Sequence, residues 1–62
     1  MKYIIFILGW GYYGGRNEKY ADIFNIVPKR LAMKFDSIEE AVKVAEARRK
    51  GGYIAVIEQI AE

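Results

Sequence analysis

Gly9-Trp10-Gly11-Tyr12-Tyr13-Gly14-Gly15 follows an unbroken apolar run, Tyr3-Ile4-Ile5-Phe6-Ile7-Leu8. How these glycines are read decides the fold. Their spacing matches G-x-G-x-x-G, which after a strand and before a helix cradles a pyrophosphate. That reading needs a helix opening near Gly11 and an acid about 20 residues on. Asp36 lies at a suitable distance, but Tyr12, Tyr13, Gly14, Gly15 and Asn17 are poor helix formers. The two tyrosines would also crowd the turn where phosphates must approach. The other reading is an aromatic, glycine-rich strand and turn in a small β-rich domain, and it is preferred here. Gly14-Gly15 then reads as a turn, with Arg16-Asn17-Glu18-Lys19 as a polar loop.

Working outward, residues 2–8 are β-branched and aromatic and read as a strand. Tyr3, Ile5 and Ile7 face one way, and Ile4, Phe6 and Leu8 the other. A strand apolar on both faces belongs in the middle of a sheet. Residues 20–27, with Ile23, Phe24, Ile26 and Val27, fit an irregular strand or a short helical turn equally well; Pro28 ends either. Residues 30–35 partly alternate, with Leu31, Met33 and Phe35 on one side, which predicts a short strand.

Ser37-Ile38-Glu39-Glu40 is a capping box and opens a helix over residues 37–50. Ile38, Ala41, Val42 and Ala45 form its buried stripe, widened by Val44. Glu39–Lys43 and Glu46–Lys50 are spaced as i,i+4 ion pairs on the outer side. Arg48-Arg49-Lys50 suits the negative helix end, and Gly51-Gly52 stops it. Residues 53–60 are a last strand.

The expected fold is a single α+β domain over residues 1–62. Its small, mainly antiparallel sheet carries one helix on one face, in the order ββ(β)αβ. The alternative is a minimal βαβαβ unit. One helix covers one face only, so an apolar face is left over. Tyr3, Ile5, Ile7 and Tyr53 are candidates for that face, and a homodimer is the expected cover.

The chain resembles many tiny proteins carried by bacteriophages and prophages. The residues that carry the likeness are Tyr3-Ile4-Ile5-Phe6-Ile7, the hairpin Gly11-Tyr12-Tyr13-Gly14, Asp22-Ile23, and Ala32-Met33-Lys34-Phe35-Asp36-Ser37-Ile38-Glu39-Glu40-Ala41. The resemblance implies a stoichiometric inhibitor of a host protein or defence system, binding by surface complementarity in the bacterial cytoplasm. It implies no catalytic residues. The long segment 16–28 departs from the family pattern.

Composition narrows the chemistry further. The 62 residues hold no Cys and no His, which excludes disulfides and conventional zinc sites and leaves few candidates for a general base. Helix capping and pairing account for Ser37, Glu39, Glu40 and Glu46, so catalytic, cofactor and metal residues are all expected to be absent. Met1-Lys2 and the apolar run resemble the start of a signal peptide, but the run is short and no small-residue cleavage site follows. No stretch approaches a membrane span.

The hydrophobic share of 53% and nine aromatic residues exceed what one small core needs. Trp10, Tyr12 and Tyr13, with Arg16 and Lys19 beside them, have the composition of an interface hot spot, although core or cross-strand packing explains tyrosines in a sheet equally well. Nucleic acid is a rival partner, through Lys29-Arg30, Lys34 and Arg48-Arg49-Lys50 with stacking on the aromatic turn. So is a small nucleotide held by Arg16, Lys19 or Arg30 in a homo-oligomer. The net charge of +2 supports neither by itself.

Overall fold

A computed structural model describes residues 1–20 and 23–61. The chain runs β1 (Lys2–Ile7), β2 (Gly11–Arg16), β3 (Phe24–Val27), a 3-10 turn (Lys29–Leu31), α1 (Ile38–Lys50) and β4 (Ala55–Ile60). The strands form one antiparallel sheet in the order β3-β2-β1-β4, with α1 packed on it. This is the expected α+β architecture with β1 inside the sheet. The βαβαβ alternative is excluded, since every strand pair is antiparallel.

The glycine-rich stretch makes a hairpin. Residues 8–10 turn the chain, closed by the Trp10 N–H donating to the Ile7 carbonyl at 3.0 Å. Gly11 pairs with Ile7 at φ +147°, and a Cβ there would stand 2.7 Å from the Ile26 side chain, so any side chain is excluded twice over. No helix follows, and the dinucleotide geometry is not formed. Nor is Gly14-Gly15 a turn: both glycines lie inside β2, where the β2–β3 register shifts between Tyr13 and Arg16. The chain reverses after β2 instead, where the Asn17 N–H donates to the Ile23 carbonyl at 2.8 Å. Asn17 holds the reversal, its side-chain oxygen accepting from the Lys19 and Tyr20 amides.

The segment 20–27 is a strand only from Phe24; Ala21 and Asp22, the latter part of the phage-protein resemblance, lie outside the described residues. The predicted strand over 30–35 is corrected. Pro28 instead starts a 3-10 turn, with the Leu31 amide donating to its carbonyl. The chain then slots between β1 and β2: Met33 N–H donates to Tyr13, and Phe35 exchanges both backbone bonds with Tyr3. Phe35 is buried there, whereas Leu31 and Met33 are exposed and share no buried side with it.

Ser37 caps α1 as expected, accepting from the Glu40 amide at 3.3 Å. Its C-terminus is a Schellman motif: Tyr53 N–H donates to the Arg48 carbonyl and Gly52 N–H to that of Arg49, with Gly52 at φ +95°. Two helix expectations need correction. Ile38 is exposed, so the stripe narrows to Ala41 and Ala45 with Val44 alongside. Neither Glu39–Lys43 nor Glu46–Lys50 closes to an ion pair, whereas Lys2–Asp36 and Lys29–Glu58 do.

The sheet has two unlike faces. The front face carries Tyr3, Ile5, Ile7, Tyr13, Ala55 and Ile57, and α1 lies over its β1–β4 half through Ala41 and Ala45. Small alanines let the helix approach closely, and Ile5 and Ile7 are fully buried. The back face, given by strand alternation, carries Ile4, Phe6, Tyr12, Val27, Val56, Glu58 and Ile60. The uncovered apolar face is therefore the back one. Tyr3, Ile5, Ile7 and Tyr53, offered as that face, belong to the front and pack in the core or against it.

Candidate functional site: an aromatic cleft beside the helix end

Helix α1 reaches β1 and β4 but leaves the β2–β3 half of the front face to aromatic side chains. Tyr13 lies at 5.7 Å from Phe24 and stacks on Phe35 at 6.3 Å, ring centre to ring centre. Phe24 meets Tyr53 edge-on at 5.0 Å, and Tyr53 meets Trp10 edge-on at 6.0 Å. These are favourable geometries for ring quadrupoles. The chain of rings runs from the core outward and ends at the surface on Trp10, which is 67% exposed.

Local structure explains each position. The hairpin turn projects Trp10 from the sheet end. The Schellman motif reverses the chain after α1 and delivers Tyr53 to face it. The β2–β3 pairing sets Ile26 opposite Tyr13 and Phe24 opposite Arg16. Trp10, Ile23, Phe24, Ile26 and Tyr53 together line a cleft of about 150 Å³, with mainly apolar side chains. Arg48 in the last turn of α1 lays its guanidinium 4.9 Å from the Phe24 ring centre. Its Nε is buried without a hydrogen-bond acceptor. Arg16 is exposed across the strand pair, and Lys19 lies over the Tyr20 ring at 5.6 Å. Among the described residues none of these three cations has an acidic partner.

The structure thus separates the residues expected to act together. Trp10 stands at the cleft, with Arg16 and Lys19 on the β2–β3 side. Tyr13 is 3% exposed and is a core residue, which corrects its assignment to the interface. Tyr12 points to the back face, where it meets Phe6 at 5.1 Å and its hydroxyl donates to Glu58 at 3.0 Å. Burial chiefly, and then the Glu58 bond and charge, raise the Tyr12 phenol above its ordinary value. The aromatic trio is split because adjacent strand residues face opposite ways.

Two of the cations expected to form a basic patch for nucleic acid have partners within the chain. Lys29 pairs with Glu58, and Arg49 donates two bonds to the Ala55 carbonyl. Sequence reasoning missed Phe24, Ile26 and Arg48 as site residues. Phe24 and Ile26 carry a period-two signal, but four residues are too few to fix a face. Arg48 is already explained by the helix dipole.

No protein-family model, no curated protein and no solved structure significantly matches this chain. Among the described residues no helix is long and apolar enough to cross a membrane, and no group of three or more His, Cys, Asp or Glu is placed to hold a metal ion.

Proposed function

We propose that this protein is a non-catalytic binding module that acts by occlusion, seating the Trp10 cleft on a functional surface of another protein. The observation that carries this reading is Trp10, a large apolar side chain 67% exposed at the rim of a ready-formed cleft. Exposed tryptophan beside arginine is the composition of an interface anchor. The side chains lining the cleft carry one phenol, Tyr53, one indole, Trp10, and otherwise hydrocarbon, which suits binding rather than bond chemistry. The resemblance to small phage proteins supports the specific form: a stoichiometric inhibitor of a host protein or defence system, working in the bacterial cytoplasm.

The test is capture of a bacterial target by the immobilised protein, with Trp10→Ala and, as a control on the outer side of α1, Lys43→Ala. Capture at one-to-one stoichiometry, lost in Trp10→Ala and kept in Lys43→Ala, is the expected result. Equal capture by Trp10→Ala overturns the reading.

The same proposal assigns the back face to a homodimer. Phe6, Tyr12, Val27, Val56 and Ile60 form an apolar surface whose one acid, Glu58, is already held by Tyr12 and Lys29. A two-fold axis brings like residues together. A face neutralised within its own chain meets its copy without repulsion. Val56→Glu is expected to turn a dimer into a monomer by light scattering, and a wild-type monomer at high concentration excludes the assignment.

A further inference from the structure

Resting on the occlusion reading, we infer that the cleft's partner is an acidic, apolar-anchored segment of a protein: one aliphatic or aromatic side chain fills the cleft, and flanking carboxylates pair with Arg48 and Arg16. Size and charge carry this. A volume of about 150 Å³ admits one group of benzene size, so it takes a single side chain rather than an extended ligand.

Among the described residues, the charge at the cleft is unbalanced in one direction. Arg48 lies over the Phe24 ring and pairs with no acid of the described residues. A guanidinium kept partly dry and unpaired is a strong donor for a carboxylate, because its desolvation has already occurred on folding. Arg16, directly opposite Phe24 on the neighbouring strand, adds a second exposed cation.

The same cations disfavour a second copy of this chain in the cleft. A two-fold arrangement there sets arginine near arginine. They also fit protein better than single-stranded nucleic acid. The Trp10 ring packs edge-on against Tyr53, and its sequence neighbour Tyr12 is on the other face, so the aromatic turn presents no run of stacking platforms.

The experiment selects random twelve-residue peptides displayed against the 62-residue chain, then measures individual synthetic peptides by isothermal titration calorimetry, which reads Trp10→Ala as well as the wild type. The expected winners combine an apolar anchor with Asp or Glu. Their affinity falls about tenfold in Arg48→Met, which keeps the apolar stem over Phe24 and drops the charge, and recovers in part in Arg48→Lys. Affinity also weakens as salt rises. Circular dichroism of each variant checks that it folds.

Winners without acidic residues, or winners that bind Arg48→Met as well as wild type, overturn the inference while leaving occlusion standing. Winners indifferent to Trp10→Ala remove both. Failure to enrich any peptide, or equally tight binding of a twelve-nucleotide oligothymidine that displaces the peptides, also overturns it.

Discussion

The two faces of the sheet handle exposed hydrocarbon differently. On the front, α1 seals the β1–β4 half with alanines against Ile5 and Ile7, and a chain of rings closes most of the β2–β3 half. What stays open there is a cleft beside cations with no acidic partner among the described residues. On the back, no helix covers the strands; only the 3-10 turn reaches over, through Lys29 to Glu58 at 3.6 Å. Ile4 at its centre is nonetheless 1% exposed, while Val56 at the β4 edge is 46% exposed. One face is well sealed and leaves charge unbalanced; the other is loosely sealed and balances its charge. Apolar area alone does not distinguish a heterologous site from a self-complementary one. In the reading proposed above, the charge left over does.

The largest test of this asymmetry is truncation on either side of adjacent strand positions. Ile5→Ala, under the helix, is expected to cost about 2–5 kcal/mol in denaturant unfolding. That approaches the whole stability of a domain this small, on the order of 3–9 kcal/mol. Val56→Ala, on the back, is expected to cost under about 1 kcal/mol when measured on the monomer. Equal costs would show that the back face is as well packed as the front.

Gly11→Val comes next, because Gly11 sets which way Tyr12 and Tyr13 point. Its positive φ and the contact with Ile26 predict a loss of about 1–3 kcal/mol. A midpoint unchanged in urea would mean the hairpin is not built on Gly11. Smaller again is Ser37→Ala, which removes the α1 cap from the front only, at about 1 kcal/mol. Less than a few tenths would mean that Asp36 or water replaces the cap.

Titration gives the smallest effects. Asp36 is held below the ordinary carboxyl range by its hydrogen bond to Lys2 and then by the Lys2 charge. Its contribution is present above the unfolded carboxyl pKa, near 4, and is lost as pH falls through the folded value. Lys2→Met should flatten that acid limb. Tyr12 has the opposite sign. Its folded pKa is raised, so its contribution is intact below the unfolded value near 10 and disappears as pH rises through the folded one. Tyr12→Phe should reduce the alkaline loss, and an unaltered alkaline limb would count against the Tyr12–Glu58 bond.

How much of this was legible varies by element. The helix was readable almost to the residue, because its cap and its glycine stop are local chemistry: the Ser37 hydroxyl, the Gly52 backbone and the first turn's acids act within a few residues. The inner position of β1 was readable from its two apolar sides. Residues 30–35 were misread because partial alternation mimics a strand, while Pro28 imposes a 3-10 turn and the sheet accepts only Met33 and Phe35 as bridging positions. The interface residues were half legible. A cluster of Trp and Tyr signals a surface with a task, but the period of two sends Tyr12 and Tyr13 to opposite faces, and no local signal shows which of them meets solvent.

The sequence by itself therefore determined the class of fold, the extent of α1, the central strand and the surplus of aromatic surface. Each follows from interactions between residues close in the chain or from the repeat of apolar positions. Only the tertiary structure decided that the glycine motif is a hairpin, that Tyr13 is core, and that Trp10, Phe24, Tyr53 and Arg48 meet at one cleft. Those residues are separated by 14, 43 and 38 positions from Trp10. Their meeting depends on strand register and on where α1 fails to reach, and neither is written in any local pattern.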